Sequence, residues 1–577
     1  MKRTLVASGL AFAGSLGLYL ATMAPGLPPG HDSAELVTAA TVLGIPHPPG
    51  YPVYVLSGHA LVSLLPGDPA WLMNLFSVLS GALAVGLAAL AISRLTGSNL
   101  AGLLAALLFA CARTPWRMAV GAEVFSLHLA LAAGLLALTA CWREADESGR
   151  RRFLVAGALV LGLGLAHHQT IVLVVPGVLG YLWLARDGRA LGWSPLCVVA
   201  LALGLAPYAW IPWRAAQDPP LNWGNPDSPD RFFWALTRQG YGGLKLSQAS
   251  GTQPAAAYHL EAWWRSLLTW QFPLFGTVLG ILGGAVGLLR RRPEVLLFGM
   301  LWLLAGPVWA LVGAQPRGEG FLDMMERFYA SSDLGFAGLV GLGLAWALQS
   351  RGSWSGRLAV GACALGLVLG LVLNLPACSE RGQHHVPDSL EAMLAGMPPG
   401  ALVVTGNDLT SGMILYATLV QDRPLDHLPA GLSASDWFLA TWPSDRAQAL
   451  RQGGLSGLLK QARSRGVPVY LDFLPSGVDG FFVPEGLLYR YLAPGEPIPS
   501  RVLASRRSLA ILDGVARRGD YFLSLERPFW TRHLVRTWAW AYQTAGEGLA
   551  QADPVQAARA VQTARRMLGD SSQEEGS

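Results

Sequence analysis

Eleven stretches of this chain contain no Asp, Glu, Lys or Arg: Thr4 to Met23, Trp71 to Ser93, Asn99 to Ala112, Val124 to Trp142, Phe153 to Ala166, Gln169 to Ala185, Gly192 to Trp213, Leu267 to Leu289, Val295 to Gly313, Leu334 to Leu348, and Leu358 to Pro376. A bilayer core about 30 Å thick is crossed by roughly 20 such residues wound as a helix. In hydrocarbon each backbone N–H and C=O must be satisfied inside the structure, so helices are the form these runs take. With 52% hydrophobic and only 14% charged residues among 577, the chain reads as a polytopic α-helical membrane protein with about eleven transmembrane helices.

The formal net charge of +5 is not a nucleic-acid footprint. The bases are almost all Arg, and many lie in short loops between apolar runs, which is a topology signal; no nucleic-acid partner is expected. With the amino terminus cytoplasmic, Arg94, Arg143 with Arg150 to Arg152, Arg186 with Arg189, Arg290 to Arg292, and Arg351 with Arg357 all fall inside. The run Val53 to Leu65, bounded by proline turns, is too short to span comfortably and reads as re-entrant or interfacial. Four cysteines lie in or at the ends of apolar runs, and no disulfide framework or zinc spacing is present. Met1 to Ala24 has the Lys2-Arg3 start of a signal peptide and a passable cleavage site at Thr22-Met23-Ala24. Its apolar run is nearer spanning length than a signal core of about 7 to 15 residues, which favours a retained helix.

This topology gathers the polar residues on the outer face. The outer loops are Pro25 to Ala70, Arg113 to Glu123, the His167-His168-Gln169 corner, Arg214 to Ser266, and Ala314 to Asp333, which contains ERFYASSD. The densest is Gly30 to Pro52, GHDSAELVTAATVLGIPHPPGYP, with two carboxylates, two histidines and no Lys or Arg. After Pro376 the composition turns soluble, and by parity this region is outside. Residues 1–376 form the membrane domain and 377–520 an α/β region, in which Ala401 to Thr405 and Val467 to Phe473 are β-rich. A helical pair occupies 521–568, because apolar residues recur at helical spacing in Thr531 to Leu549 and Pro554 to Leu568. Residues 569–577 read as a disordered tail.

Each polar motif has a structural reading beside a functional one. Asp32 or Ser33 can cap a helix, with Glu35 reaching back in a capping box; equally, Asp32 lies just beyond a span where a catalytic carboxylate belongs. In Pro46-His47-Pro48-Pro49-Gly50-Tyr51-Pro52 the prolines fix the backbone, so His47 and Tyr51 are held in place either as parts of a rigid corner or as substrate contacts. Glu123 opens a span, as a functional group or as a charge complementing the helix dipole. His167 and His168 are adjacent, which is not metal-ligand spacing, and suit polar contacts better. Asn222 and Trp223 form a turn with an aromatic platform, or an interfacial belt. Arg214, Arg238 and Arg327 are the outer bases best placed to grip a lipid phosphate, although a salt-bridged role fits each as well. No cofactor is marked out; a divalent metal is not excluded, but no dense carboxylate cluster demands one.

Taken together, GHDSAEL, LGIPHPPGYP, GAEVFSLH, GLAHHQT, YAWIPWR followed by PPLNWGNP, and ERFY resemble the bacterial members of a membrane family first described only as a domain of unknown function. Its animal relative is an endoplasmic-reticulum protein O-mannosyltransferase acting on IPT domains. The resemblance covers about Met1 to Asn374. It implies the GT-C glycosyltransferase fold, a polyprenyl-phosphate-linked sugar donor and Asp32 as general base; direct displacement would invert the anomeric centre, and the Arg topology puts the site on the extracytoplasmic face of a bacterial cytoplasmic membrane. Candidate donor or acceptor contacts are Glu35, His47, Tyr51, Glu123, His167, His168, Asn222 and Trp223, with Arg214 and Arg327 for the phosphate. The acceptor would be an extracytoplasmic protein hydroxyl or a glycan. In yeast-type relatives adjacent Asp-Glu stands in the first loop, whereas Ser33 and Ala34 here separate Asp32 from Glu35. The competing hypothesis is a transporter or flippase for lipid-linked glycans; ion-coupled transporters keep ionisable groups inside their spans, and these spans have none.

Overall fold

The computed structural model describes residues 2–186, 188, 191–243, 256–350 and 353–569. All eleven apolar runs are helical over most of their length. Among the described residues seven helices are long and apolar enough to cross a membrane, or up to nine if each of two bent pairs is one span. The count of eleven therefore includes a shorter apolar helix, Gln169–Ala185, and one, Glu147–His167, whose first turns carry Arg150 to Arg152. The Pro52–Leu64 helix is also short, as its proline boundaries imply. Arg189, Arg351 and the tail beyond Gly569 lie outside the described residues.

Two expectations are corrected. Leu267 to Leu289 is not one straight span: a π-turn over Leu267–Gln271 ends at Pro273, and the chain bends by 113° into the Phe275–Leu289 helix. Pro273 supplies no N–H, and Leu274 takes a left-handed φ of 37°, so the helix cannot continue. The segments read as outer loops at Arg113 to Glu123 and Ala314 to Asp333 are largely helical. Arg113–Ala119 is a helix, and Glu319–Glu326 passes through a tight turn at Arg327–Tyr329 into Ala330–Gln349. The charges that ended the span on sequence pair with one another: Arg117 lies 2.8 Å from Asp323 and 3.0 Å from Glu326.

Small residues set the helix packing. A Cβ on Gly283 would lie 1.9 Å from the Leu339 carbonyl, and one on Gly343 would lie 2.2 Å from that of Leu279. The Phe275–Leu289 and Ala330–Gln349 helices thus touch backbone to backbone, the mode available where lipid supplies no hydrophobic drive.

Beyond the last membrane helix, a five-stranded sheet has the order β2-β1-β3-β5-β4, with β1 Leu402–Thr405, β2 Asp426–Pro429, β3 Val469–Leu471, β4 Phe481–Glu485 and β5 Leu488–Leu492. β1 runs parallel to both β2 and β3, and the last two strands are antiparallel. The runs read as β-rich hold β1 and β3; the other strands were not singled out. The Phe529–Leu549 and Pro554–Leu568 helices pack together through Gly546, where a Cβ would meet Val561 at 2.8 Å. One apolar cluster joins Leu36 and Val37 of the first loop to Met413 and Ile414 and on to Trp538 and Tyr542, so the carboxyl-terminal region is seated on the membrane domain.

Candidate active site

The Ser33–Val42 helix begins directly after Asp32, yet the Asp32 side chain makes no cap hydrogen bond. Its Oδ1 accepts from His31 Nδ1 at 2.6 Å and its Oδ2 from Arg327 Nη1 at 2.7 Å. Glu35 does not reach back either; it takes the His47 backbone N–H at 2.9 Å and meets His47 Nδ1 at 2.6 Å. The capping-box reading is thus overturned, because cationic donors are stronger partners than a backbone amide.

The proline corner holds His47 in reach of both carboxylates. Gly50 N–H donates to the His47 carbonyl at 3.0 Å, Tyr51 adopts φ 40°, and Tyr51 Oη lies 3.0 Å from His47 Nε2, itself 4.0 Å from Asp32 Oδ2. Burial would lower the His47 imidazole, but Glu35 and Asp32 outweigh it and raise it to about 9. Burial likewise opposes ionisation of Asp32, yet Arg327, His31 and His47 hold it well below the usual carboxylate range. Glu123, 3.8 Å from Arg327 Nη1, is pushed up to about 7 by burial, with Asp32 adding to the rise and Arg327 opposing it. One carboxylate is kept charged and its neighbour is poised to bind a proton, the contrast that separates acid from base roles.

Asp32 opens into a cavity of about 1290 Å³ whose wall also includes Glu35, His47, Tyr51, His168, Asn222, Trp223 and Arg327. His168 stacks on Tyr51 at 5.8 Å and accepts or donates at Nδ1 to Thr170 at 2.7 Å. Asn222 is fixed by Asn225 at 2.9 Å, and Trp223 stacks on Tyr241 at 6.3 Å. Glu123 sits behind Arg327, on a separate chamber of about 60 Å³ that also touches His31 and Glu380. Besides Glu123, two expected contacts are not in the wall of the larger cavity. His167 is fully buried with Nε2 2.8 Å from the Val124 carbonyl, and Arg214 donates Nε to the Leu43 carbonyl at 2.8 Å. Arg214 thus closes the carboxyl end of the Ser33–Val42 helix, where carbonyls lack partners and the dipole favours a cation.

Arg238 takes the place expected of Arg214. It lines the cavity, its Nε is buried without a hydrogen-bond partner, and its guanidinium lies 5.5 Å from the Tyr241 ring. Among the described residues no carboxylate pairs with it. The sequence reading also passed over Tyr241, Asp408 and Trp437, which line the same space. No local signal marks Asp408 and Trp437, since that part of the wall comes from the carboxyl-terminal region, remote in sequence from Asp32. Asp32, Glu35 and His47 carry metal-type donor atoms within 4.8 Å of one another. Those atoms are the ones that would hold a divalent cation, and in this arrangement Arg327 and His31 supply positive charge to Asp32.

Residues 32–189 match the family model of the Protein O-mannosyl-transferase TMEM260 N-terminal domain. The TMEM260 match opens on Asp32 itself and takes in Glu35, His47, Tyr51, Glu123, His167 and His168. Over 424 residues the chain is 28% identical to mouse Protein O-mannosyl-transferase TMEM260, covering 70% of this chain and 59% of the mouse protein. Against the Dictyostelium discoideum protein O-mannosyl-transferase tmem260 it is 23% identical over 492 residues, 76% of this chain and 59% of that protein. The chain thus spans 59% of the length of each of these curated relatives. Among solved structures, that of ArnT from Cupriavidus metallidurans bound to undecaprenyl phosphate superposes with a TM-score of 0.50 at 16% identity, covering 86% of this chain and 99% of that one. The fold is that of the GT-C membrane glycosyltransferases.

Proposed function

We propose that this protein transfers a sugar, mannose by its relatives' names, from a polyprenyl-phosphate donor to an acceptor hydroxyl on the extracytoplasmic side of a bacterial cytoplasmic membrane. The observation that carries this reading is the meeting in one cavity of a carboxylate held ionised, Asp32, with a guanidinium, Arg238, that no carboxylate among the described residues pairs with. The acceptor oxygen attacks the anomeric carbon while the bond from that carbon to the phosphate oxygen breaks, its electron pair leaving with the phosphate. Asp32 takes the acceptor proton, and Arg238 with its five donors faces the charge that grows on the departing phosphate. Displacement in one step inverts the anomeric centre. The bound undecaprenyl phosphate of the ArnT structure supports a lipid-linked donor.

The test is direct. Purified protein given synthetic polyprenyl-phosphate mannose and extracytoplasmic protein or glycan acceptors is expected to release polyprenyl phosphate and form a mannoside of inverted configuration. Movement of intact donor across a proteoliposome bilayer without cleavage would establish the flippase reading instead. The membrane face has its own measurement. In a Cys-free background, single cysteines in 222–230 and on the surface of 401–568 should be labelled from outside, and cysteines at the exposed Arg290 to Arg292 turn only from the cytoplasm. Cytoplasmic labelling of the soluble region would reverse the orientation.

A further inference from the structure

The helix Asp408–Leu419 of the carboxyl-terminal region packs against the first outer loop. A Cβ on Gly412 would lie 3.1 Å from Ala34 Cβ and 3.4 Å from the Glu35 nitrogen, so the helix comes this near the catalytic loop because position 412 has no side chain. That approach sets Asp408 against His31: Asp408 Oδ2 is 3.1 Å from His31 Nε2, while His31 Nδ1 is 2.6 Å from Asp32 Oδ1. A neutral imidazole has one N–H, so a ring bridging two carboxylates through both nitrogens is an imidazolium donating twice. Trp530 of the carboxyl-terminal helical pair meets the same ring edge-on at 5.5 Å.

We infer that Asp408 is a positioning residue for the catalytic carboxylate: it holds His31 as a doubly donating imidazolium whose Nδ1–H fixes Asp32 Oδ1, so that the soluble region completes the active site. The catalytic consequence rests on the glycosyltransferase reading above. Arg327 holds only the other oxygen, Oδ2, so without His31 the carboxylate can swing about its own axis. Asp408 is not needed to cap its helix, because Asn407 Oδ1 already accepts the Thr410 N–H at 2.9 Å. Its side chain is 71% exposed, and an ion pair so placed adds little to stability. The charged groups that face or surround His31 are Asp32 and Asp408, then Arg327, with Arg117, Glu123, Asp323 and Glu380 on the chamber behind it and His533 beyond Trp530. Burial lowers its pKa, but Asp32 and then Asp408 raise it above the ordinary value. Removing the Asp408 charge therefore lets the ring lose its proton at lower pH.

The experiment uses the full chain with polyprenyl-phosphate mannose and compares Asp408→Asn, Asp408→Glu, His31→Gln and the Asp408→Asn/His31→Gln double variant. Asp408→Asn should lower kcat roughly 10-fold, the scale of losing one hydrogen bond to a charged group. The donor KM should stay unchanged, Asp408→Glu should restore part of the rate, and in the His31→Gln background Asp408→Asn should cost nothing further. In protein labelled at histidine, the His31 imidazole signal, assigned by its loss in His31→Gln, should titrate at lower pH in Asp408→Asn. An unchanged kcat, or full additivity in the double variant, overturns the proposal. If the wild type does not turn over the donor, the glycosyltransferase reading fails and the titration alone decides: a lower-pH transition upholds the coupling of Asp408 to His31, and superimposable curves overturn it.

Discussion

Asp32→Asn is expected to slow sugar transfer by about 100-fold to 10,000-fold, the contribution of a positioned general base. Asn keeps the shape of Asp and one acceptor oxygen but cannot take the acceptor proton. The change does not act through helix capping, since the Asp32 side chain caps nothing. It does leave His31 and Arg327 facing a neutral amide, and removing one partner of a buried ion pair costs about 3–5 kcal/mol when nothing relaxes. His31 relieves part of this by losing its proton. The decisive measurement is therefore kcat for purified Asp32→Asn against a control of matched thermal stability. A near-normal rate in the Asn variant would remove Asp32 from the chemistry, whatever its effect on melting.

Arg238→Ala should weaken donor binding about 10-fold to 100-fold, the equivalent of about 1.5–3 kcal/mol for hydrogen bonds to a charged group. The acceptor KM should not move. The reason is electrostatic: Arg327 is committed to Asp32 and Glu123, and Arg214 to the carbonyls of Leu43 and Val42, whereas Arg238 lines the cavity and pairs with no carboxylate among the described residues. Arg214→Ala is the internal control, with melting lowered through the end of the Ser33–Val42 helix and donor affinity unchanged. Titration of inactive protein with polyprenyl phosphate reads both values. Equal affinity in wild type and Arg238→Ala would take the phosphate away from this residue.

The membrane architecture is legible in the sequence because it depends on local chemistry. An uncharged apolar run has one stable form in hydrocarbon, and all eleven runs are helical. The segment Gly30 to Pro52 is legible for a similar reason: its carboxylates and histidines are close along the chain, and its prolines and Gly50 determine the backbone that joins them. Where the local rule failed, tertiary partners had changed the cost. Helices continue through Glu319 to Asp333 because Arg117 pairs with Asp323 and Glu326; the break of the Leu267 to Leu289 run is by contrast local, at Pro273 and Leu274.

Which charge meets which is the part that only the folded chain decides. Read alone, Asp32 and Glu35 make a capping box; in the fold, Arg327 and His31 take Asp32 and His47 takes Glu35. Arg214 and Arg238 stand in the same outer loop on sequence, yet one closes a helix and the other lines the cavity. Asp408 reaches His31 through the close approach at Gly412, and no periodicity or spacing carries that contact. Apolar burial is a property of each segment by itself, so sequence alone reveals the spans. Ion pairing is a property of distances between segments, and those exist only once the helices have packed.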